Sequence, residues 1–467
     1  HALSPPIAKA TKPGKKTKTQ TLLPLMSTTV KIQESTDEQL TLLVDGELQT
    51  IQNQLSELKS LLQNLDVQNI QYADKIYNIE HIDEANFGFV TGKRAFNELL
   101  TKRLIEAARQ ECAPINKFHE RVQAIPNWEQ DARISNKAKE MIAYSFVGII
   151  GIQFSKLMAI GKEPLSEAKQ QKYIRKCLTI AKHTLELVNF TLLSSLWDVQ
   201  KTKKLQLEDP AKSTIQAFFE RNFEASLAEQ LQLLEALEQL FSKHQLSHPF
   251  PEFNFQASKS ALQTITEALQ ALNKTLDRSD YTLLDCTEAE TGLADLYDIF
   301  YFLVNYKMAS IKRIGYKQSR HAAPRYLHRY AALGIDSKAN VDAEKVYYVP
   351  DTVNTDAILL YKGDSYEENI NLFPLVIDYN ALTFEHGVKV CFFQSKDLID
   401  DTLEYRFLED ESIIHIDKKG ILHAEVDYNE LMLKEENQIL LNLDQVRSAF
   451  EEARQTILQD TLNLDDF

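Results

Sequence analysis

The sequence contains little glycine and little proline, with 13 of each among its 467 residues. These two residues interrupt helices most strongly, so their scarcity favours long helices over a fold rich in tight turns. Cysteine is also rare, and its four positions form no CxxC pair: Cys112, Cys177, Cys286 and Cys391. We therefore predict free, apolar thiols in a reducing compartment, and a cytoplasmic location.

The sequence also lacks the short motifs of common enzyme classes. It contains no GxxxxGK[ST], GxGxxG, HExxH or GxSxG pattern, and these motifs bind phosphates and dinucleotides or support zinc and serine hydrolysis. His244 and His248 have the spacing of two helical metal ligands, but Pro249 and Pro251 indicate that the helix ends there. We therefore expect no catalytic residue, no metal and no cofactor.

Positive charge is scarce overall, since the formal net charge is −15. An acidic surface argues against generic nucleic-acid binding. Residues 1–26 differ from the rest because they contain five lysines, no acidic residue and no initiator methionine. We interpret this segment as a tag and linker, with Met26 as the native start.

One stretch is strongly apolar, AYSFVGIIGIQFSKLMAIG at residues 143–161. Its length is close to that of a bilayer span. However, Gln153 and Lys156 lie near its centre, and a central lysine costs roughly 2.5 to 3.5 kcal/mol on insertion. We predict a buried core helix, in which Gly148 and Gly151 allow neighbours to approach closely. A membrane-active hairpin is the alternative.

A heptad pattern covers residues 44–65, where apolar side chains recur at alternating spacings of four and three. This period predicts a short coiled-coil helix. The helix either mediates self-association or docking, or packs on its own domain. It begins at Val44, and its candidate interface residues are Leu48, Ile51, Leu55, Leu58 and Leu62.

The sequence as a whole predicts an α+β fold. Residues 91–314 read as successive helices, separated by proline-containing or polar boundaries, and indicate a large helical bundle. The candidate segments are 93–124, 134–161, 166–204, 211–245, 256–276 and 288–314. A coiled-coil helix and connector at 27–90 precede the bundle, and a basic junction at 315–342 follows it.

Residues 343–467 predict a small antiparallel β domain with a C-terminal helix at about 444–460. Short β-branched and aromatic runs alternate there with turn residues. In LEYRF, Leu403, Tyr405 and Phe407 alternate with polar side chains, which is typical of a half-buried strand.

Basic residues are concentrated between Asp298 and Asp336, where the sequence contains no acidic residue. Arginines and interleaved tyrosines in IKRIGYKQSRHAAPRYLHRY suit phosphates, carboxylates or nucleotide bases. Alternatively, these cations neutralise acidic faces of the chain's own bundle. The candidates for partner or anion binding are Arg313, Lys317, Arg320, Arg325, Tyr326 and Arg329.

The connector NIQYADKIYNIEHIDEANF, within residues 67–90, resembles effector-associated adaptor regions of bacterial conflict proteins when taken with the heptad segment before it. This resemblance implies a role in antiphage defence or regulated cell death, and it supplies no catalytic residue. We therefore expect a non-enzymatic adaptor, regulatory partner or proteolytic target of an effector, such as a protease or NTPase of the same system. The alternatives are a membrane-active helical toxin held in a soluble state, and a metal-dependent nuclease using acidic clusters such as Asp342 and Glu344.

Overall fold

The computed structural model describes residues 96–274, 281–321, 323–334, 356–363, 368–385, 387–417 and 433–459. It also describes the backbone of short strands between residues 30 and 78 and of one strand at Lys345–Val349. The chain divides into two units, His1–Lys93 and Arg94–Phe467, and each is considered by itself.

The first unit contains short antiparallel strands. β1, β2 and β3 form one sheet, and β4 pairs with β5 in a hairpin. The connector therefore contains extended backbone. The strands are β1 (Val30–Gln33), β2 (Thr41–Val44), β3 (Glu47–Thr50), β4 (Asn69–Tyr72) and β5 (Lys75–Asn78).

These strands correct the start of the predicted coiled-coil helix. Val44 ends β2 and Leu48 lies in β3, so neither begins a helix. The remaining candidates lie outside the described residues, as do residues 1–26: Ile51, Leu55, Leu58 and Leu62.

The second unit begins with a succession of helices that confirms the predicted helical bundle. Several start at side-chain caps. Ser226 and Thr282 each accept a hydrogen bond from the backbone amide three residues later, and the carboxylates of Glu229 and Asp285 accept one from the backbone amides of Ser226 and Thr282. The helices are α1 (Glu98–Ala108), α2 (Ala113–Val122), α3 (Ala132–Ser145), α4 (Gly148–Gly161), α5 (Glu167–Lys203), α6 (Asp209–Phe219), α7 (Leu227–Lys243), α8 (Phe255–Lys274) and α9 (Leu283–Phe300).

The apolar stretch 143–161 lies in the core, as predicted, but it is not one helix. Phe146 and Val147 have non-helical backbone angles and separate α3 from α4. The chain reverses there, and a Cβ at Gly151 would lie 2.1 Å from the carbonyl oxygen of Ala143. Glycine therefore permits the close approach of the two helices. Among the described residues, no helix is both long and apolar enough to cross a membrane.

Two antiparallel sheets follow the bundle. The first has the strand order β10-β9-β6-β7-β8 and the second β11-β12-β13-β14. The elements are β6 (Tyr306–Lys317), β7 (Arg325–Leu333), β8 (Lys345–Val349), β9 (Ile358–Lys362), β10 (Asn369–Asn371), β11 (Val376–Asp378), α10 (Tyr379–Leu382), β12 (Val390–Asp397), β13 (Thr402–Phe407), β14 (Ile413–Ile416) and α11 (Leu433–Leu458).

The bundle and the sheets share one hydrophobic core, which confirms the α+β prediction. The ring of Phe190 in α5 lies 5.3 Å from that of Phe392 in β12. The alternation in LEYRF is also confirmed, because Leu403, Tyr405 and Phe407 are buried. The predicted helix 288–314 is wrong at its end: it stops at Phe300, and β6 begins within the segment.

Candidate functional site

The basic junction contains a β-hairpin, formed by β6 and β7. β6 and β7 are antiparallel, with Arg313 opposite Arg329 and Lys317 opposite Arg325. Directly paired residues project from the same face of a sheet, and so do residues two apart on one strand. These four side chains therefore share one face, which we call the cationic face.

A β-bulge in β6 places Arg313 on the same face as the other three cations. Lys312 is an extra residue in β6, between the pair formed by Ile311 and the pair formed by Arg313. An extra residue reverses the alternation of side chains beyond it. Arg313 consequently lies on the face opposite to Ile311. Lys312 itself is only 12% exposed and pairs with Asp378, so it does not belong to the cationic face.

The four cations of the face are exposed. Within the part of the chain that the structure describes, none of them has an acidic partner, and the same holds for Arg320 in the hairpin connection. Like charges directly opposite each other on a sheet are unfavourable. The geometry therefore gives no support to the alternative in which these cations neutralise the bundle's own acids.

The centre of the cationic face carries no charged side chain. Gly315 and Leu327 form the cross-strand pair between the two cationic pairs. Those pairs lie four residues apart along β6, or about 13 Å at the rise of a strand. The face can therefore contact two anionic groups separated by an apolar segment.

The aromatic side chains lie on the opposite face of the hairpin. Tyr326 is half-buried, and its ring centroid is 5.8 Å from that of Tyr316. Tyr326 also packs against a small apolar cluster that includes Ile311 and Leu359. His328, on the same face, is buried, and burial lowers its pKa. Tyr326 is therefore not brought together with the four cations.

A second cluster of charged groups lies between the bundle and the second sheet. Lys182 pairs with Glu186 at 3.5 Å and also with Glu224. Burial lowers the pKa of Lys182 to about 8 and that of Arg221 to about 10. The Arg221 guanidinium donates to backbone carbonyl oxygens of β12. We infer that this network stabilises the packing of the bundle against the sheet, because its charged groups form ion pairs with one another and hydrogen bonds with the backbone.

The residues considered for metal or thiol chemistry have structural surroundings. His248 is half-buried, and its Nε2 lies 2.8 Å from Oε1 of Glu238. The four cysteines are free, and burial raises the pKa of the Cys391 thiol well above its ordinary value. In the described ranges, no three His, Cys, Asp or Glu side chains are placed to hold a metal ion. Asp342 and Glu344 lie outside those ranges.

A small cavity lies where α4 meets the two sheets. Its lining includes Ile149, Leu333 and Leu408, and its volume of about 20 Å³ is enough for about one water molecule. It is too small for a substrate.

The sequence indicated the charge of the hairpin but not the arrangement of its charges. Basic composition alone does not show that Lys312 is diverted into the interior, nor that Arg313 lies opposite Arg329. Comparison of this chain with protein-family models, with curated proteins and with solved structures finds no match.

Proposed function

We propose that this chain is a non-enzymatic adaptor or regulatory partner of an effector in a bacterial defence or cell-death system. Its cationic face binds an acidic segment of that effector. The observation that carries the proposal is four exposed cations in two cross-strand pairs, without acidic partners in the described residues, on a chain with a net charge of −15. The setting comes from the resemblance of residues 67–90.

A protein segment suits this face better than a nucleic acid. The exposed ring of Tyr316 lies on the other face of the hairpin, so it cannot stack a base that is held by the four cations. A long polyanion also extends beyond the face and meets the acidic remainder of the chain. A short acidic segment stays on the cationic face and avoids this repulsion.

The test compares two variants, each lacking four positive charges. The first replaces the cations of the face by glutamine: Arg313→Gln, Lys317→Gln, Arg325→Gln and Arg329→Gln. The matched control replaces four exposed cations of the bundle: Lys117→Gln, Arg121→Gln, Arg175→Gln and Lys203→Gln. Binding of a labelled poly-glutamate peptide is measured by fluorescence anisotropy, with an oligonucleotide as the competing probe.

We expect the face variant to bind the peptide at least about tenfold more weakly than the native chain, and native binding to weaken with salt. The control variant keeps its affinity. The face variant also fails to capture the effector from a lysate of the producing cells, whereas the control captures it. Equal losses in both variants contradict the proposal, and tighter binding of the oligonucleotide replaces it with a nucleic-acid function.

Two further assays separate the other functions. Leakage of dye-loaded vesicles by the purified chain supports a membrane-active toxin, and DNA cleavage that requires a divalent metal supports a nuclease. Either activity, if retained by the face variant, removes the adaptor proposal.

A further inference from the structure

The turn between β12 and β13 presents apolar side chains to solvent. Ile399 is 90% exposed and Leu398 is 51% exposed. Phe223, which is 83% exposed, lies next to them in the α6–α7 loop, because the Leu398 amide donates to the side chain of Asn222 at 3.3 Å. Ile399 and Phe223 are the most exposed large apolar side chains of the described residues. Their exposure is unfavourable for the isolated chain.

Hydrogen bonds hold the turn in this exposed conformation. Asp397 Oδ1 accepts hydrogen bonds from the amides of Ile399, at 2.7 Å, and Asp400, at 3.3 Å. Asp401 has a left-handed φ of 53°, and Arg447 contacts both its carbonyl oxygen, at 2.6 Å, and its carboxylate, at 2.8 Å. A surface that is already ordered loses little entropy when it binds a partner.

The charge around the turn is negative. Asp397 and Asp400 have no ion pair within the described ranges. We call Phe223, Leu398, Ile399, Asp397 and Asp400 together the acidic turn surface. It fits a partner that combines apolar or aromatic side chains with cations.

The end of the β6–β7 hairpin has this complementary chemistry. Tyr316 is 61% exposed, and Lys317 and Arg320 are exposed and lack acidic partners in the part of the chain that is described. We call these three residues the hairpin end. Tyr316 and Lys317 are consecutive in β6 and project from opposite faces, so a partner that closes over the end of the hairpin meets the ring on one side and cations on the other. This combination matches exposed aliphatic side chains next to two carboxylates.

We infer that the acidic turn surface binds the hairpin end of a second copy of this chain. The inference rests on the proposed role of the hairpin as a protein-binding surface, and it names one partner for that surface. The contact is small, so the association is weak and depends on protein concentration and on salt.

Sedimentation velocity over a range of protein concentrations measures the association. We expect the native chain to self-associate at about 0.05 M salt and to be largely monomeric at about 0.5 M. The turn variant is Ile399→Ser with Asp400→Lys, and the hairpin variant is Lys317→Glu with Arg320→Glu. Each weakens association at least about tenfold. The matched control, Leu284→Ser with Glu288→Lys, alters an exposed apolar and an exposed acidic residue of α9 and associates like the native chain.

Mixing the two variants gives the decisive result. The turn variant retains an intact hairpin and the hairpin variant retains an intact turn. One complementary contact therefore forms in the mixture, which associates more strongly than either variant alone. A mixture that stays monomeric overturns the inference. So does a native chain that is monomeric throughout, or association that persists in both variants, which then belongs to another part of the chain.

The same variants separate this inference from the proposed function. The turn variant keeps the whole cationic face and therefore binds the poly-glutamate peptide like the native chain. If native self-association proves independent of the turn while the peptide still binds, only the inference fails. If the native chain does not bind the peptide, the proposed function of the cationic face fails.

Discussion

Lys312 and Asp378 form an ion pair that joins the hairpin to the second sheet. The Asp378 side chain is fully buried, and its carboxylate also accepts hydrogen bonds from the Ser310 hydroxyl, at 2.6 Å, and from the Lys389 amide, at 2.9 Å. The Lys312 ammonium donates in addition to the Gly387 carbonyl oxygen at 2.7 Å. The bulge residue Lys312 is thus paired with a buried carboxylate, whereas the next residue, Arg313, is the first of the cationic face.

We predict that removing either partner of this pair destabilises the chain strongly. Lys312→Met leaves a buried carboxylate without its cation, and Asp378→Asn leaves the ammonium without its anion. Each change is expected to lower the free energy of unfolding by about 3 to 5 kcal/mol. Urea denaturation of both single variants and of the double variant measures the coupling. The double variant should lose less than the sum of the two singles, and strict additivity would show that the two groups do not interact.

A second prediction concerns pH and Asp356. Burial, together with the nearby Asp378, raises the pKa of Asp356 from 3.8 to about 6. The folded chain therefore holds a proton that the unfolded chain has already released between these pH values. The contribution of this group to stability is fully present below pH 3.8 and is lost as the pH rises through about 6.

Asp356→Asn removes this titration. Asparagine also tolerates the left-handed φ of 66° at this position. We expect the variant to resemble the native chain near pH 4 and to be more stable than it at pH 7. Acids with lowered pKa values, such as Asp401 and Glu451, make both chains more stable as the pH rises. Their effect cancels in the difference between the unfolding free energies of the variant and the native chain, which is therefore the quantity to measure at each pH. A difference that stays constant from pH 4 to pH 7 would contradict the prediction.

Local patterns predicted the parts of this fold that depend on local residues. The long helix α5, Glu167–Lys203, matches the predicted segment 166–204 within one residue at each end, because Ser166 caps its start and no glycine or proline interrupts it. The alternation around Tyr405 likewise identified β13, since one of its faces is buried.

The errors occur where distant contacts decide the outcome. The apolar residues after Phe300 continue a helical pattern, but from Tyr306 onward they pair with β9 and bury both faces of a strand. A short apolar run in the sequence does not distinguish a helix from a buried strand. The cationic face depends on the pairing of Arg313 with Arg329 across a bulge. The acidic turn surface joins residues about 175 positions apart in the sequence, which no local pattern connects.

The last prediction concerns the contact that turns the apolar stretch into two helices. Gly151→Ala places a Cβ 2.1 Å from a backbone oxygen of α3, at Ala143, and backbone cannot yield as a flexible side chain does. Alanine favours the helix over glycine by about 1 kcal/mol, whereas overpacking typically costs about 1 to 3 kcal/mol or more. We expect the steric effect to prevail and the free energy of unfolding to fall by about 1 to 3 kcal/mol. Gly334→Ala is the control, because a Cβ there meets no atom within 4 Å, and it should change stability by less than about 0.5 kcal/mol. Urea denaturation compares the two variants. If Gly151→Ala is as stable as the native chain, α3 and α4 are not in close contact at this point.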